Sequence, residues 1–427
     1  MESTLAMNTL IFLGVAIIMV PLARKLGLSS VIGYILGGII IGPYVLKLTG
    51  KDVNDIMHAS EFGVIMLLFL VGLELEPRKF WEMRKKIVGL GLTQMILTIS
   101  ILFLIFIWAG WKIDKAIAIA MCFALSSTAI VLQTLQEKNN LKTLAGEASF
   151  STLLFQDIAV IPILAILPIL AHSKAKHNDN EVLVLIQTLP EWLQAGTVIF
   201  GVVLLILLGR YVFVPFLRYV SKAGMTELLT ASSLFLVIGV SELMVAIGLS
   251  PALGAFLAGV MLANSEFRHE LEAQIEPFKG LLLGLFFIAV GMGIDLDRIA
   301  AEPWLIAAGV AILLVVKFGL LYAIGRIAKL SSRQSLLLGS VLWLGGEFAF
   351  VVFNEAQRAH LLGNANHDRL VAIVGLSMAI TPLLMIALLK LLGQEKAAPR
   401  QAAEADKVAP DNRPKVLIAG MGRFGQV

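Results

Sequence analysis

Apolar stretches long enough to cross a lipid bilayer dominate this chain, and about thirteen of them are legible. Crossing a hydrocarbon core of roughly 30 Å takes about 20 helical residues. Lipid offers no water to the backbone, so each crossing stretch must bond its own N–H and C=O groups, which runs of this length do as α-helices. The spans fall at about 6–23, 29–46, 57–75, 87–109, 115–136, 148–171, 191–213, 226–247, 250–264, 278–295, 303–326, 334–355 and 367–391. The ninth is short and Gly-rich and is accepted because the repeat described below requires it. Composition agrees: 58% of the 427 residues are hydrophobic and 15% charged, against about 25% charged in soluble proteins. An ordinary globular domain is excluded. The single cysteine, Cys122, excludes an intrachain disulfide and a Cys-based metal site. His172 and His177 lie close together, but in a polar loop without cysteine, so no metal site is expected. The first apolar run lacks a basic leader and a small-residue cleavage site, so no cleavable signal is expected.

Orientation follows from the Lys/Arg bias of the short loops. One alternating set carries Arg24, Lys25, Arg78, Lys79, Arg84, Lys85, Lys86, Lys138, Lys142, Arg218, Lys222, Arg268, Lys279, Arg326, Lys329 and Arg333. The other set is poorer. The rich set is expected in the cytoplasm, with the C-terminus inside and the N-terminus outside. Composition then divides the chain into a membrane domain over 1–392, a charged Ala/Pro-rich linker over 393–414 and a final segment over 415–427. In that segment Val416-Leu417-Ile418-Ala419 precedes Gly420, Gly422 and Gly425 in G-x-G-x-x-G spacing, the way a dinucleotide-binding domain opens. The sequence ends two residues later, before any helix or ribose-binding acid. It reads as the truncated start of a Rossmann-type regulatory domain that binds no nucleotide in this chain.

The chain resembles itself at an offset near 220. Gly27-Leu28-Ser29 with Gly33 and Gly38 matches Gly248-Leu249-Ser250 with Gly254 and Gly259. Val71-Gly72 matches Val290-Gly291, and Ala159 and Pro162 match Ala379 and Pro382. Repeat 1 (about 6–171) maps onto repeat 2 (about 226–391), with a connector helix at about 191–213. Equivalent spans are seven apart, so they cross the membrane in opposite senses. Inverted repeats of this kind build secondary transporters with a site near the membrane midplane.

An ionisable residue inside a span costs about 2.5–3.5 kcal/mol or more, so each needs a reason. Asp157 sits mid-span after Gln156, Lys317 sits mid-span, and Glu347 follows Gly345-Gly346. Ser126-Ser127-Thr128 occupies the repeat position equivalent to Gly345-Gly346-Glu347. Both segments weaken a helix, and an irregular backbone survives in lipid only inside protein. Two interrupted helices crossing at the midplane are therefore expected. Their N-terminal ends carry partial positive charge and their C-terminal ends partial negative charge. Glu347 would offset the former. Lys317 would offset the latter or pair with Asp157. Asp157, holding either a proton or a metal ion, is a minimal exchanger, and Ser127, Thr128, the Gln156 amide oxygen and freed carbonyls would complete an oxygen shell. The neutral Gln156 leaves one carboxylate at that step, which predicts one cation exchanged for one proton. No nucleophile with a base appears, so an enzyme is not expected.

Phe155-Gln156-Asp157-Ile158-Ala159, Ala124-Leu125-Ser126-Ser127-Thr128-Ala129 and Gly346-Glu347-Phe348-Ala349-Phe350 resemble the cation:proton antiporter-2 family. The loop His269-Glu270-Leu271-Glu272, the segment Ile275-Glu276-Pro277-Phe278-Lys279-Gly280 and the ending Gly422-Arg423-Phe424-Gly425-Gln426 narrow the resemblance to its Kef-type glutathione-gated potassium efflux systems. The resemblance covers essentially the whole chain. It implies an all-α sodium/proton antiporter-like fold and a homodimer in the bacterial inner membrane, exchanging potassium for protons. It also implies gating by glutathione and its adducts through a C-terminal nucleotide-binding domain, and a soluble quinone-reductase-like ancillary subunit. Glu270, Glu272, Gln274 and Glu276 would form the regulatory loop; Gln274 stands where some members carry an acid. Nucleotide and glutathione are expected only with the missing domain, and no nucleic acid is expected as a partner. Sodium in place of potassium stays open from the residues alone. A ligand-gated channel is the weaker alternative, because crossed interruptions oppose a continuous pore.

Overall fold

The computed structural model describes residues 2–26, 28–48, 63–73 apart from 64 and 67, 87–137, 140–170, 209–222, 226–246, 250–263 and 265–392. The chain divides into two units, Met1–Ile386 and Ala387–Val427. Everything below concerns the first, apart from the end of the last helix. Most of the spans expected at 57–75 and 191–213 lies outside the described residues. So do the histidine pair in the polar loop, the linker and the Gly-rich segment with Gly420, Gly422 and Gly425.

The described residues of the membrane domain are helical and apolar. Repeat 1 contains α1 (Glu2–Lys25), α2 (Ser30–Ile41), a wide π turn (Ile87–Leu92) running into α3 (Thr93–Trp108), α4 (Ile113–Ala124), α5 (Thr128–Glu137) and α6 (Leu144–Leu170). A second π turn (Gly209–Phe213) and α7 (Val214–Ser221) follow. Repeat 2 contains α8 (Thr226–Ala246), α9 (Pro251–Ala263), α10 (Arg268–Gly293), the short α11 (Leu296–Ala301), α12 (Pro303–Ile327), α13 (Ser332–Leu342), α14 (Glu347–Arg358) and α15 (Asn364–Leu392). Among the described residues, six helical spans are long and apolar enough to cross a membrane. A seventh is the pair α13 and α14, bent by 42° at its break. The span expected at 115–136 is likewise interrupted, between α4 and α5.

Glycines show how the two repeats meet. In repeat 1, a Cβ on Gly33 of α2 would press on the backbone of Met19 and Val20 in α1, 3.0 Å away. Its repeat equivalent, Gly254 of α9, lies the same way on Val240 and Ser241 of α8, at 2.9 and 3.0 Å. Between the repeats, a Cβ on Gly38 would collide with the Ile288 carbonyl of α10, and one on Gly291 with the Ile35 carbonyl of α2. The equivalent pair, Gly259 and Gly72, makes the same reciprocal contact through the Phe69 and Phe256 carbonyls. Gly38 is the counterpart of Gly259, and Gly72 of Gly291, so one pseudo-two-fold operation exchanges the two crossings. Small residues at such crossings let helix backbones touch, and packing is the main attraction available between helices in lipid.

One expectation needs correcting. The tenth span is placed at 278 from sequence and its preceding residues in a loop, yet α10 begins at Arg268. Phe267, Leu271 and Ile275 are buried at 6%, 0% and 2% exposure. That i, i+4, i+8 stripe, with helix-forming Glu and Ala between, gives the segment an apolar face to seat. Glu270 and Glu272 therefore stand on the first turns of a helix. Glu270 is exposed, and Glu272 lies 4.0 Å from Arg268 and 3.8 Å from His269. The backbones of Gln274 and Glu276 belong to the same helix, and their side chains are outside the described set.

At one end of the bundle, Glu302 before α12 accepts two 2.6 Å hydrogen bonds from Arg369 of α15. Those bonds hold the Glu302 carboxyl below the usual carboxylate range. Arg298 of α11 stands 3.8 Å from both Asp295 and Asp368, which adds a second tie between the loop after α10 and the start of α15.

Gly38→Leu is expected to force the α2–α10 crossing apart. The loss is about 1–3 kcal/mol, the usual cost of overpacking, visible as a lowered thermal midpoint in detergent. Gly293→Ala, where nothing lies within 4 Å of an added Cβ, is the matched control and is expected to leave the midpoint unchanged.

Candidate functional site

The two interruptions meet. Leu125, after α4, is extended (φ −73°, ψ 147°), and so is Gly346, before α14 (φ −99°, ψ 159°). A Cβ on Gly346 would stand 2.8 Å from the Ser126 carbonyl oxygen, so only glycine lets the two chains cross this closely. Ser126 also donates its hydroxyl to the Leu342 carbonyl at the end of α13, at 2.8 Å.

A helix that stops in an apolar interior leaves carbonyls without partners. Here α4 and α13 end side by side, and the Lys317 ammonium from mid-α12 sits between them. It donates to the Leu125 carbonyl at 2.7 Å, to the Leu344 carbonyl at 2.6 Å and to the Ser126 hydroxyl at 2.9 Å. Leu125 and Leu344 are equivalents under the repeat, so one cation serves the same atom of both halves. Lys317 is fully buried. Of the two roles open from sequence, the geometry matches the one at the C-terminal ends, because all three ammonium donors are engaged there.

The N-terminal ends are served by Glu347. It begins α14 and reaches across to α5, where its Oε1 accepts from the Ala129 N–H at 3.4 Å beside the Thr128 N–H and the Ser127 hydroxyl. Its Oε2 is buried without a hydrogen-bond partner. Ser127 also caps α5, accepting from the Ile130 N–H at 3.3 Å. Thr128, the first residue of α5, donates its hydroxyl to Asp157 Oδ1 at 3.0 Å. Both carboxylates, Asp157 and Glu347, thus address the first turn of α5.

Gln156 points elsewhere. Its Oε1 accepts from the Ser126 N–H at 2.8 Å, and its Nε2 donates to Gln94 Oε1 at 2.8 Å and to the Ala124 carbonyl at 3.2 Å. The amide thus stitches the broken backbone, with its oxygen on Ser126 rather than toward Asp157's partner Thr128. In repeat 2 the matching N–H, that of Gly345, donates to the Ser377 hydroxyl of α15 at 3.0 Å. Ser377 is the repeat counterpart of Asp157. Each break is therefore capped from the long helix of its own repeat, but only repeat 1 carries a carboxylate there.

A family profile described as sodium/hydrogen exchanger, transmembrane, matches residues 12–390. The chain belongs to the sodium/hydrogen exchanger family. The chain is 44% identical over 427 residues to the glutathione-regulated potassium-efflux system protein KefC of Escherichia coli (strain K12) and to that of Escherichia fergusonii. The match takes in 100% of this exchanger and 67% of each relative. In three dimensions the exchanger is similar to the sodium proton antiporter MjNhaP1 from Methanocaldococcus jannaschii at pH 8. That likeness has a TM-score of 0.62 at 15% identity, over 92% of this chain and 99% of that one. It shows the fold: an all-helical membrane antiporter architecture.

The structure adds three residues to this exchanger's crossing that sequence reading did not single out. Gln94 and Thr98 of α3 are both fully buried, and Ser377 caps the second break. Gln94 carried a signal, since it is a polar amide near the start of an apolar span with Thr98 one turn on. Replacing Lys317 with leucine is expected to leave the Leu125 and Leu344 carbonyls opposed in an apolar interior. A loss of about 3–5 kcal/mol follows, the cost of breaking a buried charged cluster by removing one partner. Lys317→Gln, which keeps two donors, is expected to lose about half as much. Thermal midpoints of the purified proteins in one detergent check both.

Proposed function

We propose that this exchanger carries potassium out of the cell in exchange for protons, with Asp157 as the group that holds each in turn. The observation that carries the reading is the placement of Asp157. It is half-buried on α6, bonded to Thr128 at the positive end of a half-helix, beside a crossing whose other charges are already matched. The cation would be met by Asp157, the Thr128 and Ser127 hydroxyls and backbone carbonyls near the break. Potassium, rather than sodium, follows the identity to the potassium-efflux relatives. A transporter and not an enzyme, it would act as a homodimer in the bacterial inner membrane with its N-terminus outside and its C-terminus inside. Gating by glutathione and its adducts, nucleotide binding and a quinone-reductase-like ancillary subunit belong to this reading only for a protein that includes the C-terminal domain.

The experiment is cation/proton exchange in proteoliposomes. Wild type is expected to exchange potassium for protons faster than sodium at a fixed pH gradient. Asp157→Asn is expected to fold, reconstitute and exchange neither. Near-normal exchange by a well-folded Asp157→Asn protein would end the proposal.

Exchange is further expected to be electroneutral. Position 156 is an amide with both hydrogens engaged, so Asp157 is the carboxylate at that step. An imposed membrane potential without a pH gradient is then expected to drive no cation uptake. Uptake under potential alone would mean that a second proton moves in each cycle.

A further inference from the structure

We infer that Gln94 is a positioning residue for exchange: it takes the remaining hydrogen of the Gln156 amide, holds that amide tight against the α4–α5 break and thereby sets where the break delivers Thr128 to Asp157. The inference rests on the antiport reading above and concerns a residue that touches neither Asp157 nor Thr128 through any hydrogen bond.

The Ala124 carbonyl, the last of α4, can only accept. It receives Gln94 Nε2 at 3.1 Å and Gln156 Nε2 at 3.2 Å. Gln94's other amide hydrogen goes to the Thr98 hydroxyl at 3.1 Å. With its nitrogen fixed on Ala124, Gln94 turns its oxygen to Gln156 Nε2, at 2.8 Å. Gln156 must then turn its oxygen to the Ser126 N–H, at 2.8 Å, and an N–H can only donate. Both amides have every hydrogen bonded, and both are fully buried, at 0% and 1% exposure. Flipping either would set oxygen against carbonyl and N–H against N–H.

The consequence reaches the site through two bonds of chain. Ser126 is held by Gln156 at its nitrogen and by Lys317 at its hydroxyl. Ser127 and Thr128 follow directly, and Thr128 is the residue that donates to Asp157. Removing the Gln94 acceptor leaves a buried Gln156 N–H without its partner and loosens the amide's hold on the first N–H of the break, while the charged side chains at the crossing are unchanged. Gln94 therefore tunes cation affinity without belonging to the cation's shell.

A substitution that changes donors with pH separates this role from simple packing. In Gln94→Glu the protonated acid keeps one donor for Ala124 and one acceptor for Gln156. The ionised acid has only acceptors and opposes the Ala124 carbonyl. The titratable groups on the packed elements are Glu147 and Asp157 on α6, Asp114, Lys115 and Cys122 on α4, and Lys317, Tyr322 and Arg326 on α12. All are present in wild type and divide out when variant and wild type are compared at each pH.

The test measures the apparent Km for potassium in proteoliposomes holding wild type, Gln94→Glu and the near-isosteric Gln94→Met, across the range of pH that vesicles tolerate. Gln94→Glu is expected to match wild type at the acidic end. As pH rises its Km is expected to climb to about tenfold above wild type, a loss of one charged, buried hydrogen-bonding arrangement, and to recover when the same vesicles are re-acidified. Gln94→Met is expected to show a raised Km at every pH. A Gln94→Glu to wild-type ratio that stays flat with pH, or a wild-type Km in Gln94→Met, overturns the inference. So does failure of both variants to fold, which would assign Gln94 to the fold alone. An inactive wild type would overturn the antiport reading and this inference with it, whereas an active wild type with a flat ratio overturns this inference only.

Discussion

The Lys317 ammonium is the interaction on which the rest of the crossing depends. Two half-helices end facing one another in an interior that offers no water. Their C-terminal carbonyls carry partial negative charge, so without a cation between them they repel. Burying an ammonium in such a place is itself costly by several kcal/mol. The arrangement is stable because each deficit answers the other: three acceptors for three donors, with the Leu125 and Leu344 carbonyls drawn from equivalent points of the two repeats. Glu347 performs the opposite service at the α5 N-terminus. Both kinds of helix end at the crossing thus meet a side chain of the opposite kind.

The pseudo-symmetry extends to packing but stops at chemistry. The reciprocal crossings of Gly38 with Gly291 and of Gly72 with Gly259 bring backbone against backbone twice, once for each half. The capped breaks are also paired, Ser126 N–H on Gln156 and Gly345 N–H on Ser377. Function requires the symmetry to be broken. Repeat 1 contributes the carboxylate Asp157, where repeat 2 has Ser377. Repeat 2 contributes both fixed charges, Lys317 and Glu347. On the proposed reading, two carboxylates related by the axis would make two half-sites, whereas one carboxylate opposite a hydroxyl would make a single site.

Much of this was legible in the sequence because it follows from local rules. Ser126-Ser127-Thr128 and Gly345-Gly346 announce weak helix, and Asp157, Lys317 and Glu347 are conspicuous because charge in a span is expensive. The choice left open for Lys317 could not be made from sequence, since it depends on which carbonyls the fold brings within 3 Å. The same limit applies to Gln156: an amide can offer oxygen or nitrogen, and the Ser126 N–H and the Ala124 carbonyl, some thirty positions away in sequence, determine which. The role of Gln94 is not legible in the sequence because its partner Gln156 lies on another helix. The helical start of α10 was missed for a different reason. Arg268, Glu270, Glu272 and Glu276, set around Leu271 and Ile275, lower the apolar density that marks a span, while a one-sided apolar stripe is enough to fold a helix there.

The contrast between neighbours on α6 explains how a site locked this tightly can still release its cargo. Consecutive helical residues point about 100° apart, so Gln156 and Asp157 face different surroundings. Gln156 looks into the crossing, where it is sealed and each of its polar atoms is assigned. Asp157 looks to the side and is half-buried. The fixed groups, Lys317, Gln94, Gln156 and Ser126, are all buried at 2% exposure or less. A carboxylate sealed to that degree would keep whichever ion it first bound, and one in open water would hold neither tightly. Asp157 lies between those limits because the helix that carries it is anchored one residue earlier. The rigidity of the crossing therefore fixes the orientation of the carboxylate proposed to exchange its ion with the aqueous phase.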